Sequence, residues 1–419
     1  MNAFAHVFLA AVVLGILTRL WLGLRHMRHV ARHRDRVPAN FAGHVSPEAH
    51  RKAADYTVAK TRLHCIDEVV SALVVLALTL GGGVQWFHDV LSVRFEPGGY
   101  MHGIALIGGV VLFTSLVDLP FTLYRTFGIE ARFGFNRITP RLFVADQIKH
   151  LIVAAVLGIP LLFVVLWLMN AMGDWWWLYV WLTWMGFNLL LLVLFPTVIA
   201  PLFNKFTPLE DEQLRTRIEN LLARCGFRSK GVYVMDGSRR SSHGNAYFTG
   251  LGAAKRIVFF DTLLSRLAAP EIEAVLAHEL GHFKLRHIAK RLAWMAMLSL
   301  GFLAALAYLM QQDWFYRGLG VEAQGTAVAL LLFLLAVPAF TYFALPLANA
   351  YSRKHEYEAD AYAAQHASAG DLVQALVKLY RDNAATLTPD PLHSAFYDSH
   401  PPAGLRIARL QSFRPQEAS

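Results

Sequence analysis

Apolar runs of about twenty residues recur along this chain, separated by segments in which polar positions dominate. Seven are long enough to cross the roughly 30 Å hydrocarbon core of a bilayer: Phe4 to Leu24, Val69 to Phe87, Ile104 to Leu123, Leu151 to Met172, Trp175 to Ile199, Leu292 to Met310 and Ala327 to Leu347. The pattern predicts seven transmembrane helices. Gly81, Gly82 and Gly83 interrupt the second run, and Gly173-Asp174 predicts a tight turn that joins the fourth and fifth into a hairpin.

From Pro201 to Pro270 the pattern turns polar. Leu209 to Cys225 reads as an amphipathic helix. Gly231 to Met235, Asn245 to Thr249 and Arg256 to Phe260 carry the β-branched and aromatic residues of short strands. Asp261 is expected to cap Thr262 to Leu267. Pro270, followed by Glu271 and Glu273, opens a further helix. No breaker lies between His282 and Leu292, so this helix is expected to run directly into the sixth span, with about 15 Å between His282 and the membrane core.

Composition sharpens the picture. Of 419 residues, 55% are hydrophobic and only 16% charged, against about a quarter charged in ordinary soluble domains. The first run lacks a basic n-region and is followed by Arg25, Arg28, Arg32, Arg34 and Arg36, so it reads as a retained anchor rather than a signal peptide. Lys and Arg are sharply partitioned: nine between Arg25 and Arg62, five between Arg125 and Lys149, fifteen between Lys205 and Arg291 and seven from Arg353 onward, with only Arg94 and Arg317 in the alternate loops. The positive-inside rule then puts the amino terminus outside and the basic segments in the cytoplasm. Topology and attraction to anionic headgroups account for the net charge of +9, and no nucleic-acid-binding motif is present. Cys65 and Cys225 are too few for a disulfide framework. The terminal Pro415-Gln416-Glu417-Ala418-Ser419 carries no retrieval signal, and the Ala/Arg-rich composition suggests a bacterial inner membrane.

Within the polar portion, His278-Glu279-Leu280-Gly281-His282 has the spacing of a hydrolytic zinc site. Residues four apart share a helix face, so both imidazoles can reach one metal while Glu279 lies beside them as a base. The competing explanation is a surface helix with two solvated histidines. A catalytic zinc needs a third protein ligand and an open position. The best source is Ser352 to Asp360: if helical, it sets Glu356 and Asp360 on one face, where one carboxylate can bind zinc and the other orient a ligating imidazole. An ordinary charged helix is the alternative there. His287 and Asp118 are read as a solvated helix position and a membrane-edge carboxylate.

Taken together, these residues resemble the CAAX prenyl protease 1 family, membrane-integral gluzincin endopeptidases with seven transmembrane helices around a large water-filled chamber. The resemblance rests on Phe41 with Glu48 to Lys60, Leu119-Pro120-Phe121 with Tyr124, Gly134-Phe135-Asn136, Arg240 to Tyr247, Phe260-Asp261-Thr262, His278 to His287, Ser352 to Asp360 and His400-Pro401-Pro402. It implies that His278, His282 and Glu356 bind one Zn2+ per chain, that Glu279 is the catalytic acid/base and that Asp360 supports a ligand. It further implies that His243, Asn245 and Tyr247 lie on a strand edge along which extended substrate pairs, and that His400 and Arg406 contact substrate or a developing oxyanion. Leu405 departs from the acidic residue the family usually carries beside that arginine.

The expected fold is therefore an all-α integral membrane protein, seven helices forming a chamber, with a cytoplasmic α+β zinc metalloprotease portion. Residues 1–200 hold five spans, 201–291 the insertion and zinc helix, 292–348 two further spans and 349–419 the third ligand. The expected activity is zinc-dependent hydrolysis of peptide or protein substrates at the membrane. It takes the form either of carboxyl-terminal processing of prenylated CAAX proteins or of quality control of membrane-associated polypeptides. Two alternatives fit less well. A smaller membrane stress protease has about four spans, and a non-catalytic clearing chamber with structural zinc has no use for Glu279.

Overall fold

The computed structural model describes residues 2–227, 231–249 and 256–413; the terminal segment 415–419 considered above lies outside them. Helix α1 (Ala3–Arg32) is capped by the Asn2 side chain, and α2 (Pro47–Leu78) by that of Ser46. Helix α3 (Gly83–Ser92) continues α2 after a bend of 52°. Gly82, at φ 76°, sits in the left-handed region at that bend, which a glycine enters without steric penalty. Helix α4 (Tyr100–Leu123) contains Pro120 and passes into a π-helical segment, Tyr124–Glu130. Loss of an amide donor at a proline is a recognised cause of such irregular turns. Helix α5 (Pro140–Ala171) and α6 (Trp176–Leu194) form the hairpin expected at Gly173-Asp174, and α6 runs through a second π segment, Phe195–Ile199, into α7 (Ala200–Phe203).

Among the described residues six helices are long and apolar enough to cross a membrane, and α2 with α3 makes a seventh if the bent pair is one span. The glycine run foreseen as the weak point of the second stretch is where the helix breaks. Exposed leucines, valines and isoleucines such as Leu151, Val156 and Leu182 cover the spans, as lipid contact requires. Phe8, Leu78, Leu106 and Leu166 meet Phe315 and Leu332 in a core shared by several spans.

The insertion folds as a small sheet under helices. Strand β1 (Phe206–Pro208) precedes α8 (Glu212–Arg224), then come β2 (Val232–Met235), β3 (Ala246–Thr249) and β4 (Arg256–Phe260). The order is β1-β2-β4-β3, with β2 and β4 parallel and the other pairs antiparallel, so β3 lies at an edge. Leu214, Ile218 and Leu221 of α8 cover one face and pack with Ile257, Phe259, Ile272 and Leu276. Strand β1 is not foreseen in the sequence: three residues ending in Pro208 are too short to show a period of two.

The remaining elements are α9 (Asp261–Leu264), α10 (Ala269–Lys284), α11 (His287–Leu309), α12 (Asp313–Gly318), α13 (Thr326–Thr341), α14 (Leu345–His366), α15 (Ala369–Asp382), α16 (Pro391–Tyr397) and α17 (Ala403–Gln411). The continuous helix expected from Pro270 into the sixth span does not form. Helix α10 ends at Lys284, Arg286 takes a left-handed conformation (φ 56°), and α11 restarts at His287. No glycine or proline marks the break.

The basic segments gather at one end of the molecule. Arg25 at the end of α1 pairs with buried Asp390 at 2.9 Å, Arg240 grips Asp146 of α5 at 2.8 and 3.0 Å, and Asn136 bridges Ser241. These contacts tie the insertion and the carboxyl-terminal helices to the ends of the spans.

Candidate metal centre

Helix α10 brings His278 and His282 to one face, with their Nε2 atoms 3.2 Å apart. Helix α14, which leads on from α13 with one 3-10 turn between them, lays Glu356 against both. Its Oε2 is 3.4 Å from Nε2 of His278 and its Oε1 3.2 Å from Nε2 of His282. Donor atoms from the three residues lie within 4.8 Å of one another.

Gly281 lets the two helices come this close. A Cβ there would stand 3.0 Å from Cα of Ala359 and 3.0 Å from Cβ of Tyr362. Gly281→Ala is therefore expected to push α14 away and destabilise the fold by about 1–3 kcal/mol. The check is a lowered thermal unfolding temperature together with weaker metal binding; a variant matching wild type in both would show that the contact can yield.

Asp360, one turn after Glu356, accepts from Nδ1 of His278 at 2.9 Å. Arg406 of α17 holds Asp360 with two bonds, Nε at 2.8 Å and Nη2 at 2.6 Å, while Nη2 also lies 3.4 Å from Nδ1 of His278. Glu356, Asp360 and Arg406 are all buried. Leu405 is exposed, so the departure from the family pattern falls on the surface side of α17.

Whether a divalent cation suits this pocket can be judged from the pocket itself. Burial opposes a charge on His278, yet the carboxylates of Asp360 and Glu356 outweigh it and raise the imidazole to about 9. Oε2 of Glu356 is buried with no hydrogen-bond partner among the described residues. A site that favours positive charge, with an unsatisfied carboxylate oxygen and two imidazole nitrogens converging on it, fits zinc, whose catalytic sites use His2Glu sets. Glu279 is next to this cluster, and burial holds its carboxyl above the ordinary range against the opposing pull of His278 and His282.

Glu279, His278, His400, Arg406 and Asn245 line a cavity of about 340 Å³. His400, in the turn before α17, has Nε2 3.5 Å from Oε1 of Glu356 and a largely open side chain. Asn245 also lines a second cavity of about 870 Å³, together with His243 and Tyr247. Along β3 and the residue before it, Ala246 and Phe248 pack toward the core while Asn245 and Tyr247 line the larger cavity, the alternation of a strand. The edge of β3 away from β4 has no strand partner among the described residues.

The geometry also brings in residues that the sequence reading passed over. His243 stacks on Phe135 (4.5 Å between ring centroids) and sits 3.5 Å from Oε2 of Glu130 and 3.3 Å from Oδ1 of Asn383, while Tyr56 hydrogen-bonds Glu130. No local motif links Glu130 or Asn383 to His243; the Gly134-Phe135-Asn136 segment was the nearest signal. His287 is buried rather than solvated, and it does not lie on a water-facing helix. Asp118 is exposed and accepts from the Thr122 hydroxyl.

Comparison with known proteins gives one consistent result. Residues 26–205 match the CAAX prenyl protease N-terminal region of five membrane helices, and residues 208–414 match peptidase family M48. A CAAX prenyl protease 1 homolog of Arabidopsis thaliana is 35% identical over 383 residues, 89% of this chain and 90% of that one. CAAX prenyl protease 1 of Saccharomyces cerevisiae is 33% identical over 401 residues, 90% of this chain and 88% of that one. The crystal structure of S. mikatae Ste24p superposes with a TM-score of 0.89 at 29% identity, covering 98% of this chain and 99% of that one.

Proposed function

This chain belongs to peptidase family M48 and is a multi-pass membrane zinc metalloendopeptidase, and we propose that it hydrolyses peptide bonds in prenylated CAAX proteins at the centre formed by α10, α14 and α17. The observation that carries this reading is the convergence of His278, His282 and Glu356 with Glu279 beside them, in a cavity flanked by the open edge of β3. One zinc per chain, held by those three residues, would polarise the scissile carbonyl and acidify a water molecule.

The rest of the chemistry falls to the chain's own side chains. Substrate in extended form adds to β3, with its backbone on that edge and its side chains alternating past Asn245 and Tyr247. His243, clamped by Phe135, Glu130 and Asn383, fixes one end of that groove. Glu279 takes a proton from the attacking water and delivers it to the leaving amine. His400, open to the cavity, donates to the oxygen on which negative charge develops. Arg406 has Nε and Nη2 committed to Asp360, so we assign it to holding that carboxylate, and through it His278, rather than to gripping substrate.

The basic segments cluster at the same end as this centre, which supports an active site on the cytoplasmic side, and the Ala/Arg-rich composition supports a bacterial inner membrane. The test uses purified full-length protein with a farnesylated CAAX peptide and its non-prenylated counterpart. Hydrolysis is expected only with metal present, to be lost with a chelator and restored by zinc, and to be faster on the farnesylated peptide. Equal rates on both peptides would instead indicate general cleavage of membrane-associated polypeptides. Hydrolysis that persists in fully demetallated protein would end the reading.

A further inference from the structure

The break between α10 and α11 places an unassigned side chain against the metal centre. With Arg286 in the left-handed region, the first residue of α11 turns back toward α10: Nδ1 of His287 lies 3.0 Å from Nδ1 of His282, and its Nε2 lies 2.9 Å from Oε2 of Glu358 on α14. His287 is 1% exposed. Its ring stacks on that of His355 at 4.0 Å and 8°, and His355 in turn meets Tyr351 at 4.3 Å.

Proton bookkeeping fixes the direction of this chain of contacts. Nε2 of His282 faces Glu356 and His278, so when that nitrogen is the donor to a metal, Nδ1 carries the hydrogen. That hydrogen points at Nδ1 of His287, which then accepts, leaving the one ring N–H of His287 on Nε2 to be donated to Glu358. Each link has one donor and one acceptor. His278 is held in a parallel way, its Nδ1 against Asp360, with Arg406 behind.

His287, His355 and Glu358 also have donor atoms within 4.8 Å of one another, which raises coordination of a second ion. Two features oppose it. Nitrogen lone pairs lie in the ring plane, so stacked parallel imidazoles direct them side by side and not to a common point. Both ring nitrogens of His287 are already engaged.

We propose that His287 is a positioning residue for the metal ligand His282, accepting its Nδ1–H and being fixed in turn by Glu358, with His355 packing its face. The inference rests on His282 being a ligand, as proposed above. Partners of this kind commonly govern metal affinity by 10–100-fold.

The test is zinc affinity of the full-length protein in detergent, measured by competition with a chelator, alongside the unfolding temperature of the metal-free form. His287→Ala is expected to weaken zinc binding by about 10–100-fold while leaving the metal-free unfolding temperature near that of wild type. His287→Asn, whose amide oxygen falls near the position of Nδ1, is expected to recover much of the loss, and Glu358→Gln to weaken binding less than His287→Ala. These two variants carry the test if His287→Ala does not fold. Affinity in His287→Ala within about threefold of wild type, or no recovery in His287→Asn, would overturn the proposal. So would two zinc ions per wild-type chain with one lost in His355→Ala. A wild type that binds no zinc would instead remove the assignment of His282 itself.

Discussion

Glu279→Gln is expected to retain the metal and to slow peptide hydrolysis by about 10²–10⁴-fold, the usual contribution of a positioned acid/base group. The substitution is a clean one. Glu279 lines the catalytic cavity beside His278, and no hydrogen bond or ion pair ties its carboxylate to another described residue, so an amide of the same shape disturbs no protein contact. What it removes is the ability to take a proton and return it. Metal content by elemental analysis and single-turnover cleavage of a farnesylated peptide separate the two effects. If the Gln variant cleaves at the wild-type rate, Glu279 is not the base; if it loses the metal, its role is structural.

Arg406→Ala is expected to be the most destabilising single change at the centre. It leaves Asp360 buried with its principal countercharge gone, and removing one partner of a buried, doubly bonded pair typically costs about 3–5 kcal/mol. Both residues are almost inaccessible to solvent, so little of that is screened. Arg406→Lys keeps the charge and loses the fork, and should fall between wild type and Ala. Asp360→Asn combined with Arg406→Ala should cost less than the two separate effects added together, because the second change removes the stranded charge. Unfolding temperature and zinc affinity of wild type and the four variants are the readouts. Strict additivity would show that the pair is not coupled and that Arg406 supports the site by some other contact.

The convergence of the candidate ligands was legible because helical spacing alone puts His278 and His282 on one face, and Glu356 and Asp360 follow the same arithmetic once Ser352 to Asp360 is helical. The spans were legible for the same reason: hydropathy over twenty residues integrates a strong signal. What the sequence hides is the effect of single residues in tertiary context. Arg286 carries no breaker chemistry, yet its left-handed conformation ends α10 and turns His287 inward, so a position that reads as solvated is among the most buried polar groups. Strand β1 exists because β2 offers it a partner, not because Phe206 to Pro208 favours a strand. The clamp on His243 draws on Glu130 and Asn383 from two distant helices, and distance along the chain is what pattern reading cannot cross. Arg406 could be located but its use could not: only the bidentate geometry shows it turned to Asp360.

The proposed metal donors are split across the membrane spans in a way that bears on biogenesis. His278 and His282 precede α11, whereas Glu356 follows α13 and Arg406 comes later still. A nascent chain that has emerged through α10 carries the two imidazoles and the proposed base but neither the third donor Glu356 nor the Asp360–Arg406 pair that holds His278. The proposed centre is completed only after both later helices have been synthesised and have packed, so on this reading the growing polypeptide is inert toward itself and toward the insertion machinery beside it.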